Sequence, residues 1–328
     1  MENLNEDLKS GQLKQVYLLF GEEDYLIKQY KERLCRAILP EDDGMNYAVF
    51  EGKEIDIREV TALADTMPFF AERRLILIEN SGLFKSGGAE LAEYLKEIPD
   101  TTSMLFVEKE IDKRGKLYKA VQAKGRVSEL KIQKEAILQK WIASCVKKEK
   151  KKISEQTILY ILNKTGTNMQ NISNELEKLF CYTLDRDVIT AQDVDAVCVT
   201  QPENRIFELI DAVALKQQDK AMELYGELLA MKEPPMRILF MLTKQYRSLY
   251  QVKELASRGY GKNDIVSRTG IHPFTAGKCM SQAKWFQAQE LRRILEESAD
   301  IEQRVKTGML SDKLAVELFI VNQINQSR

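Results

Sequence analysis

Phosphate chemistry is the first possibility the sequence raises. The stretch "FGEEDYLIKQY" (20–30) follows an apolar run and opens a helical pattern, the place where a phosphate-binding loop sits in an α/β protein. That loop needs glycines to turn backbone N–H groups toward phosphate, then a lysine and a hydroxyl for phosphate and magnesium. Here Gly21 stands alone, Glu22, Glu23 and Asp24 fill the loop, and no Gly-Lys-Ser/Thr follows. Three carboxylates suit the positive end of a helix but repel a triphosphate. Glu108 in "LFVEKE" (105–110) ends an apolar run, where a carboxylate could hold magnesium, yet no phosphate loop exists to share the ion. The five cysteines (Cys35, Cys145, Cys181, Cys198, Cys279) form no C-x-x-C pair, and His272 is the one histidine. Neither a zinc site, a disulfide framework nor a nucleophile–base pair can be assembled from them. The sequence predicts no catalytic residue, no cofactor and no metal.

A different kind of site lies in "TMPFFAERRLILIE" (66–79). Leu75, Ile76, Leu77 and Ile78 read as a strand buried on both faces. Pro68 cannot donate to a sheet ladder, and Glu72, Arg73 and Arg74 separate Phe69 and Phe70 from the strand. Two phenylalanines therefore belong to a helix-to-strand connection at the surface, where an apolar pair needs a reason.

The surrounding elements set that connection in an alternating pattern. Strands are predicted at 15–21, 46–52, 74–79, 103–109 and 126–130, with helical stretches near 23–38, 56–65, 88–97 and 113–123. Strands joined by crossover helices make a parallel sheet covered on both faces. From about Gln133 the strand signals stop. Helices are predicted near 134–148, 154–165, 168–182 and 190–198, the last opened by Thr190 with Asp193 three residues on. "TQPEN" (200–204) reads as a linker. Helices follow near 204–216, 219–231, 235–257, 262–268, 273–283, 287–306 and 311–325, with Ile238, Leu239, Leu242, Tyr246, Leu249 and Val252 striping the longest. The fold class is α/β plus all-α, with regions 1–133, 134–202 and 203–328.

Charge limits the partners. The three regions carry nets of −5, +1 and +3, without the positive excess that autonomous tight binding of nucleic acid demands. The run "KKEKKK" (147–152) reads either as a solvated helix end or as a phosphate-contacting loop. "KNDIVSRTGIHPFTAGKCMSQ" (262–282) has a helix-turn-helix layout with Gly270 at the turn, but the second helix offers only Thr275 and Lys278 to base edges. No apolar run reaches the length of a membrane span, and the acidic, polar N-terminus is unlike a signal peptide. The expected location is the cytoplasm.

Taken in order, "VYLLFGEEDYLIKQ", "MPFFAERRLILIE", "DKRGKLYKA", "ISNELEKL", "NRIFELIDAV", "QYRSLYQVKEL", "GIHPFTAGK" and "DIEQRVKTGM" resemble the delta-subunit family of bacterial DNA polymerase III, the clamp-opening member of the clamp loader. The resemblance implies an AAA+-like domain (1–133) that has lost nucleotide binding, a small helical lid (134–202) and a helical collar (203–328). It implies a non-catalytic accessory subunit of the polymerase holoenzyme that binds and opens the beta sliding clamp during DNA replication. Its implied partners are that clamp, the ATP-hydrolysing and delta-prime subunits through the collar, and primer-template DNA within the complex. The family inserts a hydrophobic pair into the clamp, which by position falls on Phe69 and Phe70, with Met67 and Pro68 shaping the approach. Phe69 departs from the leucine frequent there. Two alternatives stay open: a helix-turn-helix DNA-binding regulator and an AAA+ ATPase with a divergent nucleotide site.

Overall fold

The computed structural model describes residues 2–40 and 44–326, and the chain divides into two units, Met1–Gln133 and Lys134–Arg328. The first unit is a five-stranded sheet. Its elements run α1 (Glu2–Ser10), β1 (Val16–Gly21), α2 (Asp24–Ile38), β2 (Tyr47–Glu51), α3 (Ile57–Ala64), β3 (Arg74–Glu79), α4 (Ala89–Tyr94), β4 (Thr102–Glu108), α5 (Lys116–Lys124) and β5 (Arg126–Leu130). Strand order is β2-β3-β4-β1-β5, every pair parallel. β4 is buried along its whole length and β1 and β3 nearly so, as continuous apolar strands covered on both faces should be. On one face Leu18, Ile76, Ile78, Met104 and Phe106 pack with Val60 of α3, Leu91 of α4 and Leu117 and Val121 of α5. β2 is an edge strand and only half-buried.

β1 and β5 approach so closely that side chains are excluded at both ends of the pair. A Cβ on Gly125 would lie 1.8 Å from the Val16 carbonyl oxygen, and one on Gly21 would lie 2.3 Å from that of Leu130. Gly21 also has φ +135°, a conformation only glycine adopts cheaply.

The helix α1 was not predicted. Its sequence, ENLNEDLKS, is mostly polar, and it is anchored by the fully buried Leu4 together with a buried charge. Asp7, 4% exposed, accepts two hydrogen bonds from the Arg126 guanidinium at 2.7 and 3.0 Å and one from the Tyr17 hydroxyl at 3.2 Å.

The second unit is helical, with α6 (Glu135–Lys148), α7 (Glu155–Thr165), α8 (Met169–Tyr182), α9 (Ala191–Val197), α10 (Pro202–Ala214), α11 (Gln218–Ala230), α12 (Pro235–Ser257), α13 (Lys262–Thr269), α14 (Pro273–Gln282), a 3₁₀ turn at Ala283–Trp285, α15 (Ala288–Lys306) and α16 (Asp312–Gln326). Two short strands, β6 (Lys152–Ile153) and β7 (Val188–Ile189), pair in parallel where none was expected. Two residues carry no periodic signal, and backbone pairing across the α6–α7 and α8–α9 connections creates them. The expected linker at 200–204 is largely helical, because Pro202 begins α10 in the first-turn position that suits proline. Thr190 and Asp193 form a complete capping box at α9. The apolar stripe of α12 runs through the C-terminal core, where Tyr246 meets Phe286 and Phe319 edge-on at 5.7 and 6.4 Å.

Candidate functional site

The turn after β1, where a phosphate-binding loop would lie, is tied to the end of β5. The Glu23 amide donates to the Leu130 carbonyl at 3.1 Å, so the end of β5 closes over the turn. Glu23 itself, read from the sequence as part of an acidic helix start, stands at the N-cap of α2 and is 9% exposed. Burial raises its carboxyl above the usual glutamate range, against a hydrogen bond from the Tyr25 amide that pulls it down. Glu108 is equally committed. Its carboxylate accepts from the Ser81 amide at 2.9 Å, from the Ser81 hydroxyl, and from the Gly82 amide at 3.4 Å. It thus caps the connection after β3, which satisfies a buried charge with local donors. Among the described residues no three His, Cys, Asp or Glu side chains gather in a way that could hold a metal ion.

The helix-turn-helix segment also has structural employment. Gly270 takes the left-handed conformation that turns α13 into α14. Gln282 at the end of α14 donates to the Phe207 carbonyl at 2.8 Å and to the Asp211 carboxylate at 2.9 Å, both on α10, and accepts from Gln245 of α12 at 2.9 Å. Burial raises the Asp211 carboxyl. Thr275 and Lys278 are half-buried, and the Lys278 ammonium lies over the Phe207 ring at 5.6 Å, its pKa lowered by burial. α14 is thus held face-on to its own bundle.

In "KKEKKK", Lys151 donates to the carbonyls of Thr183 and Arg186, closing the end of α8 against the β6–β7 pair. Lys147, Lys148, Lys150 and Lys152 are exposed.

The connection from α3 to β3 is different: its backbone is held from inside while its side chains face water. Buried Asn46 binds Phe69 at two points, its amide donating to the Phe69 carbonyl and its oxygen accepting from the Phe69 amide, each at 2.7 Å. Arg74, at the start of β3, donates to the Met67 carbonyl at 3.2 Å. At the helix end, the Thr102 hydroxyl takes the Ala64 carbonyl at 2.7 Å and Tyr94 donates to Asp65 at 2.5 Å. Outward from this frame stand Met67, Phe69 and Phe70, 77%, 53% and 95% exposed, with Pro68 half-buried. The two rings meet edge-to-face with centroids 4.5 Å apart. Phe70 sits at φ +51°, a left-handed conformation that costs a non-glycine residue about 1 kcal/mol or more. A buried frame, a strained backbone and two solvated aromatic rings coincide in one turn. The sequence pointed to the rings, but Asn46 had no signal, because it read only as the first residue of the strand predicted at 46–52, whereas β2 begins at Tyr47 and leaves the Asn46 side chain to bind the turn.

Comparison with known proteins adds independent observations. The family described as "DNA polymerase III, delta subunit" matches residues 17–131, and "DNA polymerase III delta subunit, C-terminal domain" matches residues 203–323. A DNA polymerase III subunit delta from Bacillus subtilis is 29% identical over 332 aligned residues, covering 98% of this chain and 96% of the relative. A probable DNA polymerase III subunit delta from Aquifex aeolicus is 27% identical over 86% of this chain and 83% of its own. Among solved structures, a Bacillus subtilis DNA clamp loader delta protein matches 99% of both chains at 27% identity, with a TM-score of 0.79.

Proposed function

The chain belongs to the delta-subunit family of the DNA polymerase III clamp loader, and from this premise we propose that it binds the beta sliding clamp through Met67, Pro68, Phe69 and Phe70 and holds the ring open. The observation that carries the reading is the pinned, solvent-facing pair Phe69–Phe70. Burying each ring in an apolar pocket contributes roughly 1.5–3 kcal/mol, enough for two adjacent rings to act as a hot spot. A frame already formed before binding spares the partner the cost of ordering the loop.

Opening a ring requires no chemistry in this chain. A subunit that binds the sprung form of the clamp better than the closed form shifts the ring toward open by that difference in affinity. This non-catalytic role is supported by the closed turn at Gly21 and by Glu108 serving as a cap. In the same proposal, residues 134–202 act as the lid and 203–328 as the collar that meets the ATP-hydrolysing and delta-prime subunits, placing the chain beside primer-template DNA in the cytoplasm.

The test is binding of the purified chain to its cognate clamp, beside a folded Phe69→Ala/Phe70→Ala variant. Tight binding by the parent with at least a tenfold loss in the variant supports the reading. Binding indifferent to the substitutions moves the site elsewhere. Absence of binding, with the neighbouring loader subunits also supplied, overturns the function.

A further inference from the structure

β2 and β3 are parallel neighbours in the register Tyr47↔Leu75, so the residues just before each strand emerge at the same end of the sheet. One set is the turn carrying Phe69 and Phe70. The other is the short approach to β2, Met45 and Asn46. The two are stitched together by buried groups: Arg74 donates from one guanidinium nitrogen to the Met45 carbonyl and from the other to the Met67 carbonyl, both at 3.2 Å. Asn46 is fully buried and holds Phe69, and the next residue outward, Met45, is 60% exposed. Two methionines, 22 positions apart in sequence, thus stand on opposite arms of one guanidinium beside the phenylalanine pair.

We infer that Met45 is a further contact residue for the clamp, so that the docking surface is built from two chain segments and not from the α3–β3 turn alone. The inference rests on the proposed clamp-binding reading and extends its site. The occupant is the same apolar clamp surface, because Met45 is continuous with the turn through the shared Arg74 and Asn46 contacts. A thioether side chain is suited to the rim of such a pocket: it is unbranched, polarizable and able to follow a partner's contour. Residues around a hot spot contribute less than its centre but exclude water from it. Met45 therefore adds a smaller effect than either ring.

The experiment measures affinity of the full chain for its cognate clamp in Met45→Ala, Met45→Glu and Phe70→Ala variants, with thermal unfolding of each as a check on folding. Met45 is exposed, so its variants are expected to unfold at the parent temperature. Met45→Ala should weaken binding about three- to tenfold, and Met45→Glu further, since it brings a charge to an apolar contact. Should both Met45 variants bind within twofold of the parent while Phe70→Ala loses tenfold or more, Met45 is not a contact and the clamp-binding reading stands. Should neither position matter, or the parent not bind, both fail.

Discussion

Asn46 grips both backbone polar groups of Phe69 at 2.7 Å while the Phe69 ring stands more than half in solvent. The residue that organises the turn is thus 23 positions away in sequence and invisible from outside. Asn46→Ala removes both bonds and leaves the Phe69 groups to find water, at a cost of about 2–3 kcal/mol. Denaturant unfolding should show that loss. Hydrogen exchange should show the Phe69 amide passing from protected to open, whereas amides in β1 and β4 should follow only the global stability.

Phe70 offers a separation of stability from binding. Its φ of +51° is costly for phenylalanine and free for glycine, and its ring is 95% exposed. Phe70→Gly should therefore leave the unfolding free energy unchanged or raise it by up to about 1 kcal/mol, the relief of backbone strain outweighing glycine's entropy. The same variant should bind the clamp at least tenfold more weakly. A drop in stability of more than 1 kcal/mol would mean that the ring packs on its own domain.

Glu108 provides a test against nucleotide chemistry. As the cap of the Ser81–Gly82 connection, its replacement by alanine should cost about 1–3 kcal/mol. Millimolar Mg-ATP should not raise the parent's unfolding temperature. A ligand that binds only the folded state at a hundredfold excess over its Kd adds about 2.7 kcal/mol, a shift readily seen.

Asp193 sets a pH dependence. Burial pushes its carboxyl up, but hydrogen bonds from the Thr190 amide and hydroxyl and from Arg186 outweigh that and hold it below the usual aspartate range. A depressed carboxyl contributes stability above its unfolded pKa and loses it as pH falls through the folded value. Asp193→Asn should cost about 1 kcal/mol at neutral pH, as loss of a helix cap does. The gap between variant and parent should narrow as the pH drops through the acidic aspartate range.

Regular elements were legible where apolar residues repeat. β3 and β5 fall on the predicted residues, and α12 on its stripe. What escaped was held by polar contacts between distant segments. α1 carries Asp7 to Arg126, 119 positions away, and no local pattern encodes such a pair. Glu23 read as one of three carboxylates at a helix start, and its burial, with its amide bonded to the Leu130 carbonyl of β5, is a tertiary feature that the local pattern does not encode. The candidate site divides the same way: its exposed rings are conspicuous in sequence, while the Asn46 and Arg74 frame is a matter of parallel strand order. The parallel sheet and helical remainder implied by the family resemblance agree with the clamp loader delta fold. The helix-turn-helix layout was a true turn whose second helix faces inward.

The approach of β1 to β5 bears on how far this sequence can drift. At 29% identity to a relative of nearly equal extent, most positions have evidently been free to change in concert with their neighbours. Gly21 and Gly125 have no such freedom, because what they meet is backbone, at 2.3 and 1.8 Å from any added Cβ. No compensating substitution can move a main-chain carbonyl out of the way. Across orthologues these two columns should hold glycine while the hydrophobic residues between them trade places, and even Gly→Ala at either should unzip the outer strand. The strand seam, and not the binding surface, would then be the slowest-evolving part of the domain.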